Sequence, residues 1–244
     1  MNIRISNIAA GAVAVPINGK LHPKEADWIL ENAEAKFVFC CEGLGAALSE
    51  IECCVHVFVP ALGDFEDGRS FHIVDRHSDD LAWLFYTSGT TGRPKGVMIT
   101  HGMICQMALG YFADVDHVSA QDTALYAAPM SHGAGLYNIM HMRVGARHVV
   151  PKSGGFEEGE IFELARHFGN VHMFAAPTMV KRMTQIAKEH GETGAGIRTI
   201  VYAGGPMYLA DIIEAVDHFG PIFVQVYGQG ECPMGITALS REEV

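Results

Sequence analysis

Charge is scarce in this sequence and lopsided in sign. Of 244 residues, 18% are Asp, Glu, Lys or Arg, and 17 basic side chains stand against 28 acidic ones, a formal net charge of −11. No basic cluster offsets that balance, which argues against a nucleic-acid partner. Long apolar runs are missing as well: none reaches the ~18 residues that a membrane span needs, so no transmembrane segment is expected. The opening MNIRISNIAAGAVAVPING sets Arg4 before an apolar stretch, but Gly11 and Pro16 interrupt it. Ala12 to Ile17 reads as a short buried strand after a helix end, not as a signal peptide, and the expected compartment is the cytoplasm. The six cysteines lack chelate spacing. Cys40-Cys41 and Cys53-Cys54 are adjacent pairs whose side chains would point to opposite faces of a strand, and Cys105 and Cys232 are isolated. Reduced, mostly buried thiols are the expectation. The 13 histidines are scattered and read as mostly surface or structural residues.

What is present is a core: 49% of residues are hydrophobic, enough for one large domain or two small ones. Strand and helix alternate along the chain. Helix 23–34 begins with Pro23 and puts Ala26, Ile29, Leu30 and Ala33 on one stripe. Strand 36–40, a short helix near 44–51 and strand 54–59 follow, then an acidic loop from Gly63 to Asp80. Strand 81–86 runs into a loop, followed by strand 97–99 and helix 101–112. Beyond these come strand 123–128, helix 133–143, strand 147–150, helix 157–168, strand 171–176, helix 178–190, strand 198–203, helix 208–218 and strand 222–227. Runs such as Val171-His172-Met173-Phe174-Ala175-Ala176 are apolar without strict alternation, as strands covered on both faces should be. The expected fold is α/β, with layered, largely parallel sheets and helices on both faces. In such folds ligands sit at the carboxyl ends of strands.

The loop after strand 81–86 reads Tyr86-Thr87-Ser88-Gly89-Thr90-Thr91-Gly92-Arg93-Pro94-Lys95-Gly96. Glycines let backbone N–H groups converge on an anion, hydroxyls add neutral donors, and the lysine adds charge. Together they describe a phosphate cradle, with a surface loop of small residues as the rival reading. The Walker order G-x-x-x-x-G-K-[ST] is absent, which disfavours a P-loop kinase or GTPase.

The order of these residues resembles the signature loop of the adenylate-forming superfamily, which includes acyl-CoA synthetases, luciferases and peptide-synthetase adenylation domains. Gly11-Ala12-Val13-Ala14-Val15-Pro16-Ile17-Asn18 resembles an upstream motif of the acyl-CoA synthetase branch. Pro129-Met130-Ser131-His132-Gly133-Ala134-Gly135 resembles the acyl-pocket motif, Ala203-Gly204-Gly205-Pro206-Met207 the adenine-side turn, and Val226-Tyr227-Gly228-Gln229-Gly230-Glu231 the Tyr-Gly-x-Thr-Glu motif. The motifs stand in the family's order and cover essentially the whole chain.

The resemblance implies a two-step reaction. A carboxylate attacks the α-phosphorus of ATP and expels pyrophosphate, and a thiol, usually of coenzyme A, then displaces AMP. It implies that Thr87, Ser88, Gly89, Thr90, Thr91, Gly92 and Lys95 hold the β- and γ-phosphates. Gly204, Gly205, Pro206, Tyr227, Gly228, Gln229 and Gly230 would line the nucleotide site, and Glu231 would hold Mg²⁺. His132 would stand between acyl group and nucleotide, with Gly133, Ala134 and Gly135 at the substrate pocket. Lys95, Glu231 and His132 are the expected catalytic residues. Three of these assignments have a structural rival: His132 as a structural histidine, Tyr227 as core, Glu231 as a solvated acid.

Two features depart from the family's pattern. Gly230 replaces the usual threonine, removing a hydroxyl worth roughly 1 kcal/mol as one neutral hydrogen bond. The family's ribose-binding aspartate, hinge and C-terminal lysine are not in the sequence, so the chain is expected to be residues 1–244 of a partial AMP-binding domain without the small C-terminal domain, inactive alone. Peptide-synthetase adenylation domains grip the substrate amine with an acid inside the acyl-pocket motif, yet no carboxylate lies between Asp122 and Glu157. A buried α-ammonium would lack its partner there, which favours a neutral-tailed fatty or aryl acid and the acyl-CoA synthetase branch. A non-catalytic nucleotide-binding remnant or a partner-binding module remains the alternative.

Overall fold

The computed structural model describes residues 8–40, 56–58, 72–87 and 94–244. The chain divides into two compact units, Met1–Ile104 and Cys105–Val244.

In the first unit, helix α1 (Pro23–Asn32) begins with a reciprocal cap. His22 Nδ1 accepts from Lys24 N, and the Glu25 carboxylate accepts from His22 N at 3.0 Å. Ala26, Ile29 and Leu30 form its buried stripe, as the 3.6-residue period requires. Strands β1 (Phe37–Phe39) and β2 (His56–Phe58) pair in parallel. The segment expected to be a strand at 12–17 contributes only a bridge, Ala14 to Trp83. Strands β3 (Leu81–Thr87) and β4 (Lys95–Thr100) form an antiparallel hairpin, with Thr87 opposite Lys95. The hydroxyl loop therefore joins a hairpin and does not lead from a parallel strand into a helix. Its length decides this, because a parallel crossover needs about a dozen residues or more. The helix expected near 44–51 and most of the acidic loop lie outside the described residues.

After helix α2 (His101–Asp114), the second unit is built on a six-stranded sheet. Its strands are β5 (Thr123–Leu125), β6 (Arg147–Val149), β7 (Val171–Ala175), β8 (Ile197–Tyr202), β9 (Phe223–Gln229) and β10 (Cys232–Leu239). They lie in the order β10-β9-β8-β7-β5-β6, and every pair is parallel except β10 with β9. Successive side chains of β7 point to opposite faces. Val171, Met173 and Ala175 pack with Ile161, Phe162 and Ala165 of helix α4 (Glu158–Phe168) and with Val180, Met183 and Ala187 of helix α5 (Pro177–His190). Ile212 and Ala215 of helix α6 (Leu209–Phe219) complete that core. On the other face His172 and Phe174 meet Tyr111 of α2 and Tyr137, with His141, of the short helix α3 (Tyr137–Arg143). Both faces are thus covered, which is why the β7 run carries little exposed polarity.

Gly196 shows how tightly the first face is packed. Its φ is +88°, and a Cβ there would sit 2.0 Å from the Ala165 carbonyl oxygen. Three sequence expectations shift. The strand expected over 123–128 ends at Leu125. The helix expected from residue 133 begins as a 3-10 turn, Gly133–Leu136, because Gly133 and Gly135 are poor helix formers. Strand β10 was not anticipated; its Pro233 and Gly235 fall on an edge strand with irregular register between Cys232 and Thr237, where such residues are tolerated.

Candidate functional site

The hydroxyl loop stands on the β3–β4 stem in the first unit. Thr87 and Lys95 face each other across that stem, and Lys95 is exposed. Ser88, Gly89, Thr90, Thr91 and Gly92 lie outside the described residues. The stem is anchored through Tyr86, whose hydroxyl donates to Asn32 Oδ1 at 2.6 Å and whose ring packs edge-on against Trp28, with centroids 6.2 Å apart. Both partners belong to α1, so the loop's base is held against a helix, while Lys95 is left to solvent.

The remaining expected site residues belong to the second unit, and they leave the sheet at one edge. Strands β5, β7, β8 and β9 run parallel, so their carboxyl ends lie together. The chain leaving β5 reaches His132, which is exposed and precedes the 3-10 turn. The His132 carbonyl accepts from Gly135 N at 2.9 Å, and Ala134 and Gly135 are buried beneath it. Beyond β8, Gly204, Gly205 and Pro206 are exposed. Gly204 has φ +86°, and a Cβ placed on it would meet nothing within 4 Å, so the backbone there is open to a ligand's close approach. At the end of β9, Tyr227 is 54% exposed, which removes the reading of that ring as core. Gly228 and Gln229 complete the strand, and Gly230 and Glu231 form the turn to β10, where Gln229 pairs with Cys232. The tight turn puts the Glu231 carboxylate in solvent, where among the described residues it has no ion-pair partner.

Sequence reasoning missed a buried polar network in the amino-terminal halves of β7 and β8. Asp116 Oδ2 accepts from Thr199 Oγ1 and Arg241 Nη2, each at 2.7 Å, and from Arg198 Nη2 at 3.3 Å. His172 Nε2 stands 3.3 Å from the same oxygen and 2.9 Å from the Tyr111 hydroxyl. Burial pushes Asp116 up, but hydrogen bonds from His172, Thr199 and Arg241, with the charge of Arg198, hold its carboxyl well below the usual range. Burial lowers His172, and it lowers His141 to about 3, helped by His172 beside it. The one available signal was a histidine inside an otherwise apolar strand run: it needed a partner.

The expected site residues of the second unit thus follow the carboxyl ends of parallel strands in one sheet covered on both faces, the edge at which α/β folds bind ligands. The chain belongs to the AMP-binding enzyme family, whose profile matches residues 7–244. It is 29% identical over 237 residues to a feruloyl-CoA synthase of Amycolatopsis, covering 96% of this chain and 48% of that protein. The fold is similar to the inhibitor-bound N-terminal domain of FACL13 from Mycobacterium tuberculosis, at 26% identity and TM-score 0.84, covering 98% of this chain and 62% of that one. It is also similar to ATP-bound MatB from Rhodopseudomonas palustris, at 25% identity and TM-score 0.82, covering 98% and 49%. The chain spans about half the length of the curated relatives it matches. Among the described residues, no helix is long and apolar enough to cross a membrane.

Proposed function

We propose that this chain forms part of the AMP-binding domain of an ATP-dependent acid–CoA ligase. The enzyme activates a neutral-tailed carboxylic acid as its acyl-adenylate and passes the acyl group to coenzyme A. The observation that carries this reading is the emergence of residues 129–135, 203–207 and 227–231 from carboxyl ends of parallel strands in one sheet. Membership of the family supports it, as do a relative named a feruloyl-CoA synthase and a structural neighbour that binds ATP.

The residues fit a nucleotide. Tyr227 offers an exposed ring face on which adenine can stack, and Gly204 and Gly205 leave the backbone open beside it. Lys95 and the hydroxyl loop supply charge and N–H donors to the departing phosphates. His132 fits the boundary between acyl group and nucleotide. Among the described residues no three His, Cys, Asp or Glu side chains form a metal cage. Mg²⁺ needs none, because it binds through one or two carboxylates plus phosphate oxygens, and Glu231 would be that carboxylate. When bound, Mg²⁺ would supply charge neutralisation at the phosphates. The chain's own part is positioning: it orients carboxylate against phosphorus and offers donors where negative charge collects.

Acid-dependent ATP–pyrophosphate exchange tests the reading. Lys95→Ala is expected to lower it about 10- to 100-fold, the equivalent of a charge-assisted bond of roughly 1.5–3 kcal/mol. Exchange and ATP KM both unchanged in that variant would overturn the loop assignment, and nucleotide binding without exchange would leave a binding module.

A further inference from the structure

We infer that Tyr86, Asn32 and Trp28 are positioning residues for the phosphate contact. They hold in place the strand that carries Lys95, so that its ammonium meets the departing phosphates from a fixed direction. This rests on the reading of Lys95 above and deepens it, assigning a task to side chains of α1, with Asn32 54 positions before Tyr86.

The need for an anchor follows from the stem. Strands β3 and β4 form a sheet of two strands, and a two-stranded hairpin is marginally stable at best in water. Away from the loop, Ala14 braces it: its N–H donates to the Ala82 carbonyl and its carbonyl accepts from Leu84 N, each at 2.9 Å. At the loop end the last pairs are Tyr86 with Gly96 and Thr87 with Lys95. Fraying there would move the Lys95 main chain.

Tyr86 counters that fraying. Trp28 and Asn32 lie one turn apart on α1 and so share a face. The Tyr86 ring meets Trp28 edge-on with centroids 6.2 Å apart, and its hydroxyl donates to Asn32 Oδ1 at 2.6 Å. Burial raises the Tyr86 pKa, so the hydroxyl keeps the proton it donates. The ring also lies across its cross-strand neighbour: a Cβ on Gly96 would sit 2.9 Å from Tyr86 Cζ and 3.2 Å from its hydroxyl oxygen. Glycine after Lys95 thus gives the ring its path to α1. Lys95 is exposed, and its ammonium rides on a flexible four-carbon stem. Packing against α1 restricts its reach through the main chain, which lowers the ordering cost of phosphate capture.

The probes are AMP and a non-hydrolysable ATP analogue, titrated calorimetrically with Mg²⁺ into the full chain. Lys95 is assigned to the two outer phosphates, which AMP lacks, so a positioning role and a merely structural one give different results. Tyr86→Phe and Asn32→Leu should each weaken the ATP analogue by about three- to tenfold and AMP by less than about twofold. Adding Asn32→Leu to Tyr86→Phe should cost less than about a further twofold, since their shared contact is already gone. Backbone amides of residues 95–97 should exchange with solvent deuterium at least about threefold faster in both variants. Tyr86→Phe keeps the ring, and its Tm should stay within about 4 °C of the parent.

Equal weakening of both nucleotides, no weakening, full additivity in the double variant, unaltered amide exchange, or no nucleotide binding by the parent overturns the inference. Acid-dependent pyrophosphate exchange in the parent without a selective loss in the variants sinks it and leaves the ligase reading standing. Selective loss of the ATP analogue in a chain that never exchanges pyrophosphate upholds it and counts against the ligase reading.

Discussion

Arg241 Nη2 lies 2.7 Å from Asp116 Oδ2, joining residues 125 positions apart in the chain. The same guanidinium donates from Nη1 to the Arg198 carbonyl at 2.8 Å, so the segment after β10 is fastened to β8 and to the turn following α2. Asp116 is 9% exposed, and its charge depends on these donors.

Arg241→Ala should therefore destabilise the second unit by about 2–4 kcal/mol, since removing one partner strands a largely buried charge. Arg241→Lys should recover only part, because an ammonium cannot reproduce the forked contact to Asp116 and the carbonyl. Urea denaturation followed by far-UV circular dichroism measures both. Asp116 has a folded pKa below its unfolded one, so its contribution is intact above about pH 4 and fades only at lower pH. Equal midpoints for Arg241→Ala and the parent at pH 7 would refute the fastening role.

The buried and half-buried histidines act in a higher pH window. His141, His148 and His172 all have folded pKa values below the ordinary one, chiefly through burial, with His141 at about 3. Below about pH 6.5 the unfolded chain takes up protons that the folded chain does not, so stability falls as pH drops through this range. His141 alone can add up to about 1.4 kcal/mol per pH unit to that slope. The denaturation midpoint from pH 7 to pH 4.5 should fall in the parent and fall less steeply in His141→Leu. Parallel slopes would exclude His141 as a contributor.

Gly196→Ala tests the packing of β8 against α4. A Cβ would fall 2.0 Å from the Ala165 carbonyl oxygen on a backbone with φ +88°. Overlap and strain together should cost about 3 kcal/mol or more, lowering Tm by well over 5 °C if that cost applies. A Tm within about 2 °C of the parent would show that α4 can shift aside.

Gly205→Val separates crowding of the nucleotide from loss of stability. A Cβ at Gly205 would meet only Pro177 ring atoms at 3.9 Å, ordinary contact, and the residue is exposed. The folded chain should lose less than about 1 kcal/mol, as surface substitutions do. Affinity for an ATP analogue, read by calorimetry, should drop about tenfold or more if adenine approaches this turn. Unaltered affinity would move the adenine elsewhere.

The sequence alone determined what depends on residue order and local periodicity. Apolar runs without alternation announced strands covered on both faces, helical stripes such as Ala26, Ile29 and Leu30 were legible at their 3.6-residue spacing, and the ordered motifs pointed to the family. These signals are short-range, so they survive in one dimension. Tertiary structure decided whatever depends on partners distant in the chain. It made β3 and β4 an antiparallel hairpin, supplied β10 despite its Pro233 and Gly235, and exposed Tyr227 where a strand end alone reads equally as core. It also turned scattered histidines into a buried set, because His172 acquires meaning only beside Tyr111, Asp116 and His141. A side chain's type is written in the sequence; its desolvation and its hydrogen-bond partners are fixed by packing, and those set its charge and what it can bind.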